Sequence, residues 1–287
     1  MKIQVGFLIS YDYELLKNAL PRVYNNADTI FLAIDKYRRT WSGNVFLIEE
    51  SFFKWLRSFD TEEKIIIYED EFYIESFTPM ECEVRERKLL AEKMGIGNWL
   101  IQLDVDEYFL DFKKFVLDIR KYDSFLLNPK VQEIQIAAFL INIYKFVEDG
   151  FLYVDKPTRC LVATNVPNYK VGRNTRKRII YTSNLIFHET LSRSEKELEM
   201  KIKNWGHKNE LNPHFLDKWK SANKNNYREL KNVFYIEPEK WKSLQYVSGK
   251  NIEEVSKNFN SKLFLPTSFH IRKKNLGQWF KFLFKNK

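Results

Sequence analysis

The chain has 287 residues, 44% hydrophobic and 16% aromatic, with only 9 glycines, 8 prolines and 2 cysteines. That composition buries a core and excludes a disordered chain, a disulfide scaffold and long flexible linkers. The net charge of +9 suits an anionic partner, and it is uneven: Arg173 to Arg178 and Ile271 to Lys287 are basic, while Glu62 to Glu86 is mostly acidic.

Ile3 to Ser10 is a short apolar run of the kind that forms a buried strand. Leu15, Leu16, Ala19, Leu20 and Val23 give Glu14 to Tyr24 a helical spacing. Asp28 to Asp35 reads as a second strand closed by an acid, Glu50 to Phe59 as a helix, and Ile65 to Tyr68 as a third strand. Glu83 to Met94 is a charged helix ended by Gly95 and Gly97, and Trp99 to Leu103 is a fourth strand running into Asp104-Val105-Asp106-Glu107. Alternating strands and helices predict an α/β fold with a mainly parallel, Rossmann-like central sheet flanked by helices. Ligands of such sheets bind outside the carboxyl ends of the strands, where Ser10, Asp35 and Asp104 fall.

Further along, Glu133 to Tyr144, Phe151 to Thr164 and Lys177 to His188 read as strands. Ser192 to Trp205 reads as a helix with a capping box from Ser192 and Glu195 or from Ser194 and Glu197. The expected organisation is one catalytic domain over residues 1–245 and a helical basic extension over 246–287. The first residues enter a strand without a signal-like leader, and no apolar run reaches the roughly 20 residues of a membrane span. A reducing, cytoplasmic setting is therefore expected, soluble or peripheral on the inner membrane face.

Chemistry concentrates at Asp104-Val105-Asp106. In a strand, residues two apart point the same way, so both carboxylates would project together. Paired carboxylates repel unless a cation holds them, and a hard divalent ion such as Mn²⁺ or Mg²⁺ binds carboxylates and phosphates together. An acidic surface turn is the plainer alternative. Asn184 to Thr190 is a second run ending in titratable groups, His188 and Glu189. His188 is either a neutral metal ligand or a strand-end histidine, and Glu189 can serve as a general base. Glu148-Asp149-Gly150 offers Asp149 as a rival base, although a solvated turn explains it equally simply. Arg173, Arg176, Lys177 and Arg178 form a basic cluster with no accompanying nucleic-acid motif.

These pieces together resemble the GT-A glycosyltransferases, close to family 2 and related bacterial surface-glycan enzymes. The likeness covers roughly the first two-thirds of the chain, by the strand-by-strand order. It rests on the first strand, the second strand ending in Asp35, the helix Arg85-Glu86-Arg87-Lys88-Leu89-Leu90, and the Asp-Val-Asp-Glu strand end. The residues after the first strand, Ser10-Tyr11-Asp12-Tyr13-Glu14, depart from the family 2 pattern. The resemblance implies transfer of a sugar from a nucleotide-diphosphate donor to a hydroxyl of a growing glycan or lipid-linked acceptor. Asp35 and Arg85 (or Arg87) would hold the nucleoside side, and Asp104 and Asp106 the metal and diphosphate. His188, or His207 in Trp205-Gly206-His207, would complete the metal shell, and Arg176 would sit in a basic loop over the diphosphate. On this reading Asp106→Ala abolishes transfer and leaves the fold intact.

The last 17 residues carry six basic side chains and no acid. Leu276, Trp279, Phe280 and Leu283 share one helical face, which suits an anionic membrane interface. Two other classes compete. A sugar nucleotidyltransferase would use a similar sheet edge, but the Gly-rich, Lys-containing loop such enzymes show is missing near the N-terminus. A basic membrane- or nucleic-acid-binding protein would leave the acids at three strand ends without a purpose.

Overall fold

The computed structural model describes residues 1–204 and 211–283. Its N-terminal half is the expected parallel unit. Strands β1 (Ile3–Ile9), β2 (Thr29–Asp35), β3 (Ile65–Asp70) and β4 (Trp99–Asp104) run parallel in the order β4-β1-β2-β3. They are linked by α1 (Leu16–Tyr24), α2 (Glu50–Phe59) and α3 (Pro79–Met94). β1, β2 and β4 are almost wholly buried, as strands covered on both faces must be.

Helix α3 positions part of the site. Thr78 and Glu81 cap its start reciprocally, Pro79 opens its first turn, and Gly95, with φ +90°, ends it. The helix lies so close to β1 that a Cβ at Gly6 would meet Leu90 Cδ2 at 2.8 Å, so a larger residue there would force Leu90 to shift.

The C-terminal half is β5 (Glu107–Phe109), α4 (Phe112–Arg120), β6 (Ile134–Val147), β7 (Gly150–Val154), β8 (Thr158–Thr164), β9 (Arg178–His188), α5 (Glu195–Asn204), α6 (Phe215–Ser221), β10 (Leu244–Ser248), α7 (Ile252–Asn258) and α8 (Ser268–Leu283). The sheet continues from β4 through β8, β6 and β7 to β10, each pairing antiparallel, while β9 pairs parallel with β6 and antiparallel with β5. The expected parallel sheet flanked by helices is thus present, and antiparallel strands extend it into a larger mixed sheet. The links between β6, β7 and β8 are too short for the crossover that a parallel pair needs.

The expected domain boundary at 245/246 also moves. It falls inside β10, where Gln245 and Tyr246 pair with Tyr153 and Leu152 of β7. Ile252, Val255 and Phe259 beyond it are buried in the main core with Val5, Phe7 and Ile186. Each fully buried side chain of this kind contributes about 1.5–3 kcal/mol, so residues up to α7 stabilise the same body as β1. A second cluster around Tyr144, Leu152, Trp219 and Trp241 anchors the segment after α5. Among the described residues, no helix is long and apolar enough to cross a membrane.

Candidate active site

The chain steps from β1 outward to β2 and β3, then returns to place β4 on the other side of β1. Such a reversal leaves a crevice at the carboxyl ends of the two strands. A cavity of about 410 Å³ opens there, lined among others by Ser10, Asp12, Asp104, Asp106, Arg173 and Lys201.

The Asp104-Val105-Asp106 segment is not a continuing strand. β4 ends at Asp104, Val105 and Asp106 turn, and Glu107 begins β5 opposite His188. Both aspartates line the cavity, but the turn gives them different partners. Asp104 Oδ1 accepts from Arg87 Nη2 at 2.8 Å, and Arg87 Nε donates to Glu83 at 2.9 Å. Burial works against ionising Asp104, yet Arg87 and then Arg173 outweigh it and hold the carboxyl below its ordinary range.

Asp106 is buried, and its Oδ2 accepts from both Arg193 Nη2 and Lys201 Nζ at 2.8 Å. Arg193 also reaches Asp12 Oδ2 at 3.1 Å. Burial opposes the Asp106 charge, but Lys201, His188 and Arg193 overcome it and push the carboxyl well below its ordinary range. Removing Asp106 would take a buried partner from Lys201 and from Arg193, which keeps Asp12, so Asp106→Ala costs stability as well as function, on the order of 3–5 kcal/mol for a broken buried pair. That replaces the expectation of an intact fold. Asp106→Asn keeps an acceptor and is the gentler probe.

His188 comes beside Asp106 because β9 ends against β5. Asn142 fixes its ring: Asn142 Nδ2 donates to Thr158 Oγ1 at 3.0 Å, leaving Oδ1 to accept from His188 Nδ1 at 3.1 Å. His188 Nε2 then faces Asp106 Oδ1 at 3.6 Å, beyond hydrogen-bond range. Burial lowers the His188 pKa despite the nearby Asp106 and so favours the neutral ring.

The resemblance implies a divalent metal at this turn, and the donor set does not fit one. One carboxylate oxygen of Asp106 already carries two cations. A divalent ion seated on that oxygen would have to displace one of them. Among the described residues, no three side chains of the His, Cys, Asp or Glu type are grouped to hold a metal.

Two acids missed at the sequence level shape the cavity wall. Glu107 is 1% exposed and takes a two-pronged bond from Arg173, at 2.6 and 2.5 Å. Its Oε2 also accepts from the Asp104 backbone N–H at 3.1 Å. Glu86 lies beside Arg87, accepts from Trp41 Nε1 at 2.6 Å, and is pushed up to about 8 by burial against that opposing bond.

Glu189 points the other way from His188. Its backbone N–H donates to Asp106 O at 2.8 Å, and its carboxylate accepts from Tyr108 Oη at 2.7 Å. Burial raises it to about 7, against the bond from Tyr108. It lines a second cavity of about 690 Å³ with Arg193, Phe146 and Trp219. The Asp106–Arg193 ion pair joins a residue lining the first cavity to one lining the second, and so forms part of the wall between them.

Other expected site residues lie elsewhere. Asp35 is buried, and both its oxygens accept from backbone N–H groups, of Tyr37 and Arg39 on one side and Phe72 and Tyr73 on the other. It organises two loops and does not line the cavity. Arg85 donates to the Glu71 carbonyl on the outer side of α3, and Arg87 takes the inner place. Arg176 is exposed with φ +59°, and Arg173 is the loop arginine that enters. Asp149 is an exposed turn residue with φ +58° that lines neither of these two cavities. His207 lies outside the described residues.

No protein-family profile matches the chain, and no curated protein does. Among solved structures, Staphylococcus aureus TarS (residues 1–349) aligns at 9% identity and TM-score 0.29, over 50% of this chain and 36% of that one. The chain thus spans about a third of the TarS chain. Mannose-6-phosphate isomerase from Helicobacter pylori aligns at 14% identity and TM-score 0.32, over 77% and 78% of the two chains. Both scores are too low to argue from, and the α/β fold class stands on the strand order itself.

Proposed function

We propose that this chain is a glycosyltransferase that moves a sugar from a nucleoside-diphosphate donor to an acceptor hydroxyl. One observation carries the reading: Arg87, Arg173, Arg193 and Lys201 gather on the acids that follow β4, at the switch point of the sheet, beside a cavity of ligand size. Arg87, Arg173 and Lys201 line this cavity on fixed carboxylates, and such cations suit a diphosphate. The second cavity, with Glu189 at its wall, suits the acceptor. The acceptor oxygen would attack the anomeric carbon while the bond from that carbon to the phosphate oxygen breaks. The electron pair leaves with the diphosphate, and the acceptor proton passes to Glu189.

The test is a panel of nucleoside diphosphates, each with Mn²⁺ present, read as melting temperature. A ligand at 100 times its Kd stabilises the folded state by about 2.7 kcal/mol, a rise of roughly 5–10 °C. One nucleotide should give it. No shift with any nucleotide would move the reading to a basic binding protein without this activity.

The acceptor on this reading is a growing surface glycan or a lipid-linked sugar, and α8 supports a membrane setting. Its inner face closes the free edge of β9: Asn275 exchanges two bonds with the Tyr181 backbone, and Trp279 stacks on Arg178 at 4.2 Å. Its outer face leaves Phe269, Leu276 and Phe280 at 76%, 58% and 55% exposure, spaced along one stripe and flanked by Arg272 and Lys273. We propose an anionic lipid surface as the occupant, since each basic residue adds about 1 kcal/mol near such a surface. The chain should sediment with phosphatidylglycerol vesicles and not with phosphatidylcholine ones. Replacing Phe269, Leu276 and Phe280 by serine should abolish this; equal sedimentation of both proteins would refute it.

A further inference from the structure

We infer that the diphosphate is neutralised by side chains alone, with Arg193 and Lys201 standing where the resemblance expects a divalent metal. The inference rests on the nucleotide-sugar reading of the cavity and concerns how that site meets its anion.

Arg193 and Lys201 converge on the same oxygen of Asp106 at 2.8 Å each. Together they bring two positive charges to the position where the family's aspartate would hold an ion of charge two. Arg87 and Arg173 supply two more, fixed by Asp104, Glu83 and Glu107. The pairing is not complete. Arg87 Nη1, on a residue that lines the cavity, is buried without a hydrogen-bond partner, as is Arg193 Nε, whose residue lines the second cavity. A buried donor left unmet is costly, and a phosphate oxygen entering beside it would supply the acceptor.

The cations are also held in place. α5 begins with a reciprocal Ser194–Glu197 cap, which fixes the turn after Arg193. One turn beyond Lys201, Asn204 accepts from Thr40 Oγ1 at 3.0 Å and from Asn44 Nδ2 at 2.8 Å. Lys201 is thereby latched to the loop after β2, which itself lines the cavity through Thr40 and Trp41. A site that meets charge with pre-placed cations needs little reorganisation when charge develops on the departing phosphate oxygen.

The test is calorimetric titration of the full chain with UDP, ADP, GDP, CDP and dTDP, once in EDTA and once in Mn²⁺. The expected result is one nucleotide binding equally in both, about 10- to 100-fold more weakly in Lys201→Gln, the loss of one charge-assisted bond. Lys201→Arg should recover most of that loss. Lys201→Gln leaves Arg193 on Asp106, so the variant should fold; its melting curve checks this. Arg193→Gln is the second variant if it does not. Binding that requires Mn²⁺ and ignores both substitutions overturns the inference while keeping the nucleotide reading. Binding in neither buffer overturns both.

Discussion

Glu189→Gln should lower turnover by about 10²- to 10⁴-fold, the range removed with a general base, while leaving nucleoside-diphosphate affinity unchanged. The split follows from the two cavities, because Glu189 lines the second whereas Arg87, Arg173 and Lys201 line the first. Glutamine keeps the size of the side chain and its bond from Tyr108, so the scaffold is retained. The pH profile adds a stricter check. Burial lifts Glu189 to about 7, so the base is protonated below that pH and free above it. Turnover should therefore rise through neutrality in the native enzyme, and this limb should vanish in Glu189→Gln. A variant with native turnover, or with an unchanged acidic limb, would remove Glu189 from the chemistry.

Glu107→Ala should be strongly destabilising, by about 3–5 kcal/mol, read as a fall in melting temperature of roughly 10 °C. Arg173 would lose both of its bonds to a carboxylate that is itself 1% exposed. Its bond to the Gln102 carbonyl, at 3.0 Å, would remain but carries no countercharge. The loss should be mostly the penalty of the stranded guanidinium. Adding Arg173→Met should then recover much of the stability. By contrast, Glu253–Lys257 has side chains 73% and 70% exposed, and losing it should cost almost nothing. If Glu107→Ala melts like the native chain, the wall behind Asp104 is not held by this pair.

Burial of Glu86 makes a third expectation. Its folded-state pKa of about 8 lies above the ordinary 4.5, so the folded protein binds a proton that the unfolded chain releases. Stability from this group is complete below pH 4.5 and declines as pH rises toward 8. Glu86→Gln should flatten that decline in a series of denaturant titrations between those pH values. A native chain as stable at pH 8 as at pH 5 would contradict it.

The strands that make the switch point were legible because both their faces are buried, and continuous apolar runs such as Thr29 to Ile34 announce that. β5 was not, since three residues carry no period, and its pairing with β9 is what brings His188 to Asp106. Arg87 had a readable signal: Glu86, Leu90 and Met94 at helical spacing place it on the inner face of α3, and Arg85 turned away. Lys201 had one too, three residues after Leu198 on the buried stripe of α5. Arg173 against Arg176 was undecidable, because an irregular loop has no period to read. Asp35 was misread because its partners are backbone N–H groups from two loops, which a sequence does not display.

The most direct test of sugar transfer is product analysis. The chain is incubated with a panel of nucleotide sugars and simple glycosides as acceptors, and the nucleotide products are separated by chromatography. The expected products are a nucleoside diphosphate and an extended glycoside from one donor, both sharply reduced in Glu189→Gln. Release of pyrophosphate would make the chain a nucleotidyltransferase, and no turnover of any donor would contradict the assignment of this cavity to sugar transfer.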